Sequence, residues 1–422
     1  MKLPNSRQIF RIFAGMFGCI PRHFDDMEFE FNPDVIYSHV AQALAGAGLL
    51  AALYLIFVYR RTIVSVVRHR RMSSRLAAQG SQRQIPALSV IVYCKDSARA
   101  LERMLPDVLA QNLDVPFEVI VATDGRSEHA EDVVTLLSAQ HKNLRMTYVP
   151  DEAHALSRKK LAVTLGIKAA RYDYVVLTDA NAQIASYDWL KLIGRHFADG
   201  KDVVIGSAFP AGDRRLRGMG NFNMLADKVT YLSSALAGKA YRGSECNMAF
   251  RRQLFFDNNG FTDSVGLHHG IDDIFLSHIV RPGNYAVELS GQTQAGINVD
   301  SVTGDYRTDR VRHEFTGRKL SHCYRRLMGI GSLLMWVWLG VTVAAAVVFM
   351  PEVLPLAALL FVGVLWIVLT TVAWCKAAKA LHVPVKGWLV PVYMFMRPLS
   401  TLYMRLKGRM HRSANYTWAK PV

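Results

Sequence analysis

Three blocks of this chain hold no Asp, Glu, Lys or Arg over lengths that match the apolar core of a lipid bilayer. They run from Ile36 to Tyr59, from Leu327 to Met350 and from Val353 to Cys375. Each is about 23 or 24 residues long, enough for a helix to cross a ~30 Å hydrocarbon layer. The blocks predict one membrane helix before a large polar region and two after it. Little more than Pro351 and Glu352 separates the last two, so they read as a helical hairpin. The first block is too long and begins too late for a cleaved secretory leader, and no basic cluster stands directly before it.

The flanking charges give a direction. Asp25, Asp26, Glu28, Glu30 and Asp34 precede the first block, and Arg60, Arg61, Arg68, Arg70 and Arg71 follow it. Arg325 and Arg326 lead into the hairpin, and Lys376 and Lys379 lead out. By the positive-inside rule residues 1–35 are extracytoplasmic, while a basic linker (60–85), a catalytic region (86–320) and a basic tail (376–422) are cytosolic. The expected location is the plasma (inner) membrane, multi-pass. Within the tail, Gly387 to Met396 is apolar over about ten residues, which suits an interfacial or re-entrant helix. Residues 7–20 mix Arg with Phe and Ile, and two readings stay open there: an outer-surface segment or a plain terminus.

A formal net charge of +16 beside a hydrophobic content of 51% is reconciled by position, because much of the basic excess borders the apolar blocks. That pattern suits membrane lipids of an anionic leaflet. A nucleic-acid binder would be basic without such blocks, so no nucleic-acid partner is expected. The five cysteines form no CxxC or Cys/His spacing, so they argue neither for a disulfide framework nor for a zinc site, and a reducing compartment fits the catalytic region.

From about Pro86 to Asp300 the periodicity changes. Apolar runs at 88–93, 117–122, 145–150, 174–179 and 202–207 alternate with helical stretches such as ALERMLPDVLAQ and DVVTLLSAQ. Runs without polar alternation suit strands buried on both faces, and strand–helix alternation predicts an α/β fold with a mostly parallel sheet. Ligands of such sheets bind beyond the carboxyl ends of the strands. Lys95 and Asp96 follow the first strand, Asp124 the second, and Asp179, Ala180 and Asn181 close the fourth. Each alone also suits a helix cap or Asx-turn; three on one rim form a candidate site.

These residues resemble the nucleotide-diphospho-sugar transferase (GT-A) fold, and specifically the membrane-anchored members of glycosyltransferase family 2. The resemblance covers roughly Leu88 to His313 and rests on LSVIVYCKDSARAL, FEVIVATDGRSEHAED, RKKLAVTLGIKAARYDYVVLTDAN, GSECNMAFRR and GIDDIFL in that order. It implies a nucleotide-diphosphate sugar as donor, contacted by Lys95, Asp96, Asp124, Lys160, Asp179 and Arg312. It also implies a divalent cation, Mn²⁺ or Mg²⁺, at Asp179, and a catalytic base at Asp273 with Asp272 beside it in the acceptor site. A diphosphate leaving group develops negative charge that such a cation stabilises, and carboxylate oxygens suit it. The acceptor hydroxyl needs a carboxylate to take its proton. A single displacement inverts the anomeric centre. Neighbouring helical side chains point ~100° apart, so Asp272 and Asp273 are not expected both to face the acceptor.

Two departures bear on the chemistry. The second acid of the family's Asp-x-Asp is Asn181, an amide that ligates without charge. The Gln-x-x-Arg-Trp motif of processive synthases reads Asp309-Arg310-Val311-Arg312-His313; Arg312 keeps the diphosphate-binding role, but the polymer-gripping Gln and Trp are gone. Gly218-Met219-Gly220 and Gly329-Ile330-Gly331 are not dinucleotide fingerprints. Gly46-Ala47-Gly48 lies inside the first apolar block, where two readings stay open: close helix packing, or the ordinary small-residue content of membrane helices. His268 and His269 read as loop residues near the acceptor, and Arg214, Arg215 and Arg217 as a phosphate-attracting or solvated loop.

The expectation is therefore an inverting, non-processive enzyme that adds one sugar to a lipid-linked or membrane-proximal glycan acceptor in envelope glycan synthesis. Two alternatives remain: a processive polysaccharide synthase, and a catalytically weak partner subunit that organises glycan-assembly proteins.

Overall fold

A computed structural model of the chain describes residues 46, 53–79, 84–95, 97–150, 152–153, 157–211, 218–264, 267, 270–298, 313, 316, 330, 333–334, 336–341, 343 and 353–410. Seven strands make the main sheet: β1 (Leu88–Cys94), β2 (Phe117–Thr123), β3 (Leu144–Tyr148), β4 (Tyr174–Asp179), β6 (Val203–Ile205), β8 (Met248–Arg251) and β9 (Tyr285–Val287). Their order is β3-β2-β1-β4-β8-β6-β9. The first four are mutually parallel, β8 runs against both neighbours, and β9 is parallel to β6. The mostly parallel sheet is the expected one. A small second sheet joins β5 (Ala182–Gln183), β10 (Ala295–Asn298) and β7 (Ala208–Ala211).

All seven residues of β1 are buried, which is why its sequence lacks polar alternation. Leu88, Val90, Val92 and Cys94 share one core with helices α2 (Ala98–Leu109), α3 (Glu128–Ser138) and α5 (Trp189–Ala198). Ile91 and Tyr93 face the other side, towards α4 (Arg158–Ala169) and α6 (Met219–Leu236). Short helices α7 (Arg252–Asp257) and α8 (Leu276–Ile279) flank the segment between β8 and β9.

The helices outside the sheet differ from expectation in two places. Residues 53–79 are helical throughout: a π-turn stretch at Arg60–Val64 leads directly into α1 (Ser65–Gln79). The stretch 60–85, expected as a linker, is thus helix as far as Gln79. Arg60 and Arg61 are exposed and good helix formers, so their charge marks no helix end. In the tail, one turn at Gly387–Leu389 is followed by α10 (Val390–Met410), a helix well beyond the ten apolar residues expected at 387–396.

Among the described residues one helix is long and apolar enough to cross a membrane. It is the window Gly363–Ala380, with a mean hydropathy of 1.3 and a third of it buried in the protein, within α9 (Val353–Ala380). Length and composition alone do not separate such a helix from the core helix of a soluble protein. The expected spans Ile36–Tyr59 and Leu327–Met350 lie mostly outside the described residues.

These helices are not a separate unit. Leu55, Val58, Ile63 and Val66 share the core of the sheet's α6 face with Trp366, Trp374 and Ala377 of α9. Polar contacts extend the junction: His69 Nε2 lies 2.7 Å from the Val287 carbonyl, and Gln294 Nε2 donates to the Ala380 carbonyl at 3.0 Å. Behind that junction Glu288 is almost fully buried. It accepts from Arg195 Nη2 at 2.6 Å and from the Ser290 amide at 2.7 Å, and His196 Nε2 lies 2.7 Å away. Burial alone would push this carboxyl up. The His196 ring, the Arg195 guanidinium and the Ser290 amide more than reverse that, bringing it down from 4.5 to about 2.

A depressed folded-state value gives stability that is fully present above pH ~4.5 and lost as pH falls towards 2. Glu288→Gln leaves Arg195 buried without its counter-charge and should cost about 3–5 kcal/mol. Thermal unfolding across pH 2–7 checks both, the variant showing a lower Tm at neutral pH and a flatter acid limb.

Candidate active site

The rim where β1, β2 and β4 end is held in register by the backbone. The Asp124 amide donates to the Cys94 carbonyl at 3.1 Å and the Ala180 amide to the Tyr93 carbonyl at 2.8 Å. Lys95 stands exposed at the end of β1. Opposite this rim is the first turn of α4, with the consecutive cations Arg158, Lys159 and Lys160. Cations oppose the dipole of a helix N-terminus, so each needs an acceptor of its own. Steps of ~100° send the three side chains to three different walls.

Arg158 Nε donates to Asp124 Oδ1 at 3.1 Å and to the Asp124 carbonyl at 2.9 Å. The Tyr93 hydroxyl lies 3.5 Å from the other Asp124 oxygen. Burial raises the Asp124 carboxyl in spite of Arg158 and Lys95. Lys159 reaches two carboxylates, with Nζ 2.7 Å from Glu245 Oε1 and 3.6 Å from Asp179 Oδ2, and it lies over the Tyr93 ring at 4.6 Å. Burial pushes the ammonium down, but Glu245 and Asp179 outweigh it and raise its pKa well above the usual lysine value.

Lys160, expected at the donor, instead turns into the protein. Its Nζ donates to the Ser264 carbonyl, to Ser264 Oγ at 2.9 Å and to the Leu267 carbonyl at 2.9 Å. The cation beside Asp179 is Lys159, one helical step away. Asn181, expected as a metal ligand, directs both its backbone N–H and its side-chain Nδ2–H at Asp179 Oδ1, at 3.0 and 3.1 Å. So oriented it donates rather than ligates. The second carboxylate beside Asp179 is Glu245, within GSECN, and the sequence reading did not single it out.

That segment bridges the two halves of the site. The Gly243 amide donates to the Asp272 carbonyl at 2.7 Å, while Glu245 faces Lys159. Asn247 belongs to the core: Nδ2 donates to the Ser207 and Thr293 carbonyls at 2.8 and 2.7 Å, and Oδ1 accepts from Trp189 Nε1 at 3.1 Å. A Cβ on Gly206 would come within 2.6 Å of the Asn247 carbonyl, so only glycine permits this approach.

Asp272 and Asp273 lie in a π-type turn, Ile271–Phe275, closed by the Phe275 amide on the Gly270 carbonyl at 3.0 Å. Gly270 enters with φ 121°, a conformation closed to most L-residues. Phe275 anchors the turn in an aromatic cluster, its ring centroid 5.2 Å from those of Phe250 and Phe261. In this turn both carboxylates, with His313, bring one ligand atom each within 4.8 Å of one another. That differs from the expectation of divergent side chains, because a π-type turn does not keep the α-helical angular step.

Their surroundings differ. Asp273 is 1% exposed; Thr316 Oγ1 donates to its Oδ2, the Ile274 amide to its Oδ1 at 2.6 Å, and His313 Nδ1 lies 3.5 Å off. Burial pushes it up, but His313, Thr316 and Ile274 together hold it well below the usual carboxylate range. Asp272 is 9% exposed and meets Arg242 Nε at 3.8 Å. Burial first, then the Asp273 charge, raises it to about 6 against the opposing pull of His313 and Arg242.

Two groups here have donor sets for a divalent cation. Asp179 and Glu245 are carboxylates converging on one ammonium; Asp272, Asp273 and His313 add an imidazole nitrogen, which suits Mn²⁺ better than Mg²⁺. Asp96, Arg312, His268, His269, Arg214, Arg215 and Arg217 lie outside the described residues.

The sequence model of the family described as Glycosyl transferase family 2 matches residues 89–257, which hold Asp124, Asp179 and Glu245. The chain carries a family 2 glycosyltransferase domain. A chondroitin synthase of Pasteurella multocida (strain Pm70) is 29% identical over 94 residues, 22% of this chain and 9% of that protein's length. The mannosyltransferase PcManGT of Pyrobaculum calidifontis, solved with GDP-Man and Mn²⁺, is 20% identical with a TM-score of 0.45, over 82% of this chain and 99% of that one. Residues 1–349 of S. aureus TarS, solved with UDP, are 18% identical with a TM-score of 0.35, over 58% and 65%.

The cations in the first turn of α4 have separable roles, as Lys160 and Arg158 show. Lys160→Met strands two buried carbonyls and should lower stability by about 1–3 kcal/mol, with nucleoside-diphosphate affinity unchanged. Arg158→Ala should weaken that affinity about tenfold, the loss of one charge-assisted contact. Denaturant unfolding and calorimetric titration with UDP and GDP check both.

Proposed function

We propose that the protein is an inverting, non-processive glycosyltransferase that moves one sugar from a nucleotide-diphosphate sugar to a hydroxyl of a lipid-linked or membrane-proximal acceptor. The observation that carries this is a bridged pair of acidic centres: Asp179 with Glu245 on the strand rim, and Asp272 with Asp273 across the Arg242–Asn247 segment. Lys95 and Arg158, with Asp124, receive the nucleotide, and Asp179 with Glu245 holds the cation. That ion supplies charge neutralisation for the departing diphosphate.

The role of base, expected at Asp273, passes to Asp272. Both oxygens of Asp273 already accept hydrogen bonds, while among the described residues those of Asp272 accept none. Asp272 takes the proton of the acceptor hydroxyl as that oxygen bonds to the anomeric carbon and the nucleoside diphosphate departs. Asp273, held ionised by His313 and Thr316, fixes the turn.

A setting at the plasma membrane, with the catalytic domain cytosolic, is supported by two outward apolar stripes. Phe361, Val364, Leu365, Val368, Leu369 and Val372 are exposed along α9 at helical spacing. Val392, Met396, Leu399, Tyr403 and Leu406 are exposed along α10, with Trp388 just before it. A second reading, a catalytically weak subunit of a glycan-assembly complex, is favoured by Asn181 locked on Asp179 and by the capped Asp273.

Nucleoside-diphosphate release from a panel of nucleotide sugars, with membrane lipid extract as acceptor source, tests the proposal. One donor should give Mn²⁺- or Mg²⁺-stimulated release, reduced about 10²–10⁴-fold by Asp272→Asn. Asp179→Asn should abolish the metal stimulation, and His313→Ala should leave Mn²⁺ binding intact; the reverse pattern would move the ion to Asp272, Asp273 and His313. Donor binding without release in any condition favours the subunit reading.

A further inference from the structure

The three cations that open α4 are held with different firmness. Lys160 is buried and shared among three oxygens, and Arg158 donates twice to Asp124. Lys159 has a looser seat. Its Nζ donates to Glu245 Oε1 at 2.7 Å and stands 3.6 Å from Asp179 Oδ2, beyond hydrogen-bond reach. It also lies over the face of the Tyr93 ring, 4.6 Å from the centroid. The Lys159 side chain keeps 23% of its surface in solvent, and that of Glu245 keeps 34%. An ammonium on a flexible four-carbon stem, partly solvated and resting on an aromatic face, can change partners without opening the core.

Its partners are the two carboxylates proposed to hold the divalent cation. Asn181 directs two hydrogen bonds at Asp179 Oδ1, so the oxygen left to a cation is Oδ2, the one that faces Lys159. An ion bridging Oδ2 and Glu245 would stand close to an ammonium already set against both. A double and a single positive charge at such a distance repel strongly. We infer that Lys159 and the divalent cation exclude one another at Asp179 and Glu245, and that Lys159, once released, turns to the diphosphate of the donor. The inference rests on the transferase reading and gives Lys159 a place in it. The direction of the turn follows from Tyr93. This residue lies near the end of β1, its hydroxyl is 3.5 Å from Asp124 Oδ2, and Arg158 holds the same carboxylate. Its ring therefore leads from the two carboxylates to the side of the rim proposed to receive the nucleotide. Charge gives the order. One ammonium leaves a net negative charge on the carboxylate pair, which repels a diphosphate. A divalent ion neutralises the pair and leaves the ammonium to the diphosphate, so cation and nucleotide each favour the binding of the other.

The test uses the full chain in detergent micelles, with Mn²⁺, UDP and GDP as probes. Lys159→Met keeps the length of the side chain and removes its charge. By titration with Mn²⁺, followed through the electron paramagnetic resonance of the free ion, the variant should bind Mn²⁺ about tenfold tighter than wild type. With Mn²⁺ saturating, it should bind the preferred nucleotide of UDP and GDP about tenfold more weakly. Lys159→Arg should stay near wild type in both. A poorly folded variant does not gain affinity for an ion, so the first result is separable from misfolding. Unchanged or weaker Mn²⁺ binding by Lys159→Met would overturn the exclusion, and unchanged nucleotide affinity would overturn the turn to the diphosphate. Acetylation of wild type by acetic anhydride, read by mass spectrometry, checks the movement with no substitution. Mn²⁺ should speed the labelling of Lys159, Mn²⁺ with nucleotide should suppress it again, and Lys160 should stay protected throughout. Labelling of Lys159 indifferent to Mn²⁺ would overturn the inference. None of these readouts needs turnover. If no nucleotide sugar is consumed while Lys159 exchanges with Mn²⁺, the exclusion stands and the transfer reading falls; metal-stimulated release with Lys159 unmoved gives the reverse.

Discussion

The first turn of α4 ties the site together, because its three consecutive cations are each fixed to a different wall. Arg158 holds the end of β2 through Asp124, and Lys159 joins the end of β4 to the Arg242–Asn247 segment through Asp179 and Glu245. Lys160 reaches back to Ser264 and Leu267, just before the turn that carries Asp272 and Asp273. Three cations at a helix N-terminus run against the helix dipole, and a partly buried carboxylate or a set of carbonyls offsets each one. The cost has a structural return. Segments far apart in sequence meet at one turn, and the spacing between strand rim and acidic turn is set by rigid elements instead of a loop.

How far the sequence carried depended on whether a feature was local. The strands were readable because β1, β2 and β4 are buried on both faces, which forces continuous apolar runs; β4 occupies residues 174–179 as expected. Asp124 and Asp179 were readable for the same reason, as polar residues ending apolar strands. What failed needed three dimensions. Lys159 and Lys160 are chemically alike, and only the helical phase sends one to Asp179 and the other inward. Glu245 becomes part of the site through a partner 86 residues away. Glu288, Arg195 and His196 lie in separate elements, and nothing in their local sequence marks a buried ion cluster. The stretch after Tyr59 was read from its charge, which reports depth relative to a membrane, while helix continuity depends on backbone propensity, which arginine satisfies.

The apolar helices and the sheet share one core, and this bears on how a membrane-proximal site could work. Val66 of α1, Trp374 and Ala377 of α9 and Phe222 of α6 pack together, with the Phe222 and Trp374 ring centroids 5.0 Å apart. Close-packed interiors transmit displacement poorly by degrees and well as whole bodies. The outward stripe of α10 and the α6 helix it packs on, through Asn223 to Ser400 and Asp227 to Arg397, therefore stand at a fixed separation.

Asp272 and Asp273 show how neighbouring identical residues acquire different roles. Asp273 has two hydrogen-bond donors and an imidazole around it, so ionisation is favoured and its lone pairs are spent. Asp272 has a longer contact with one guanidinium, burial, and a like charge next to it, so it binds a proton more readily. A base must be able both to take a proton and to reach one, and these surroundings are why Asp272 is the one of the pair proposed for that role.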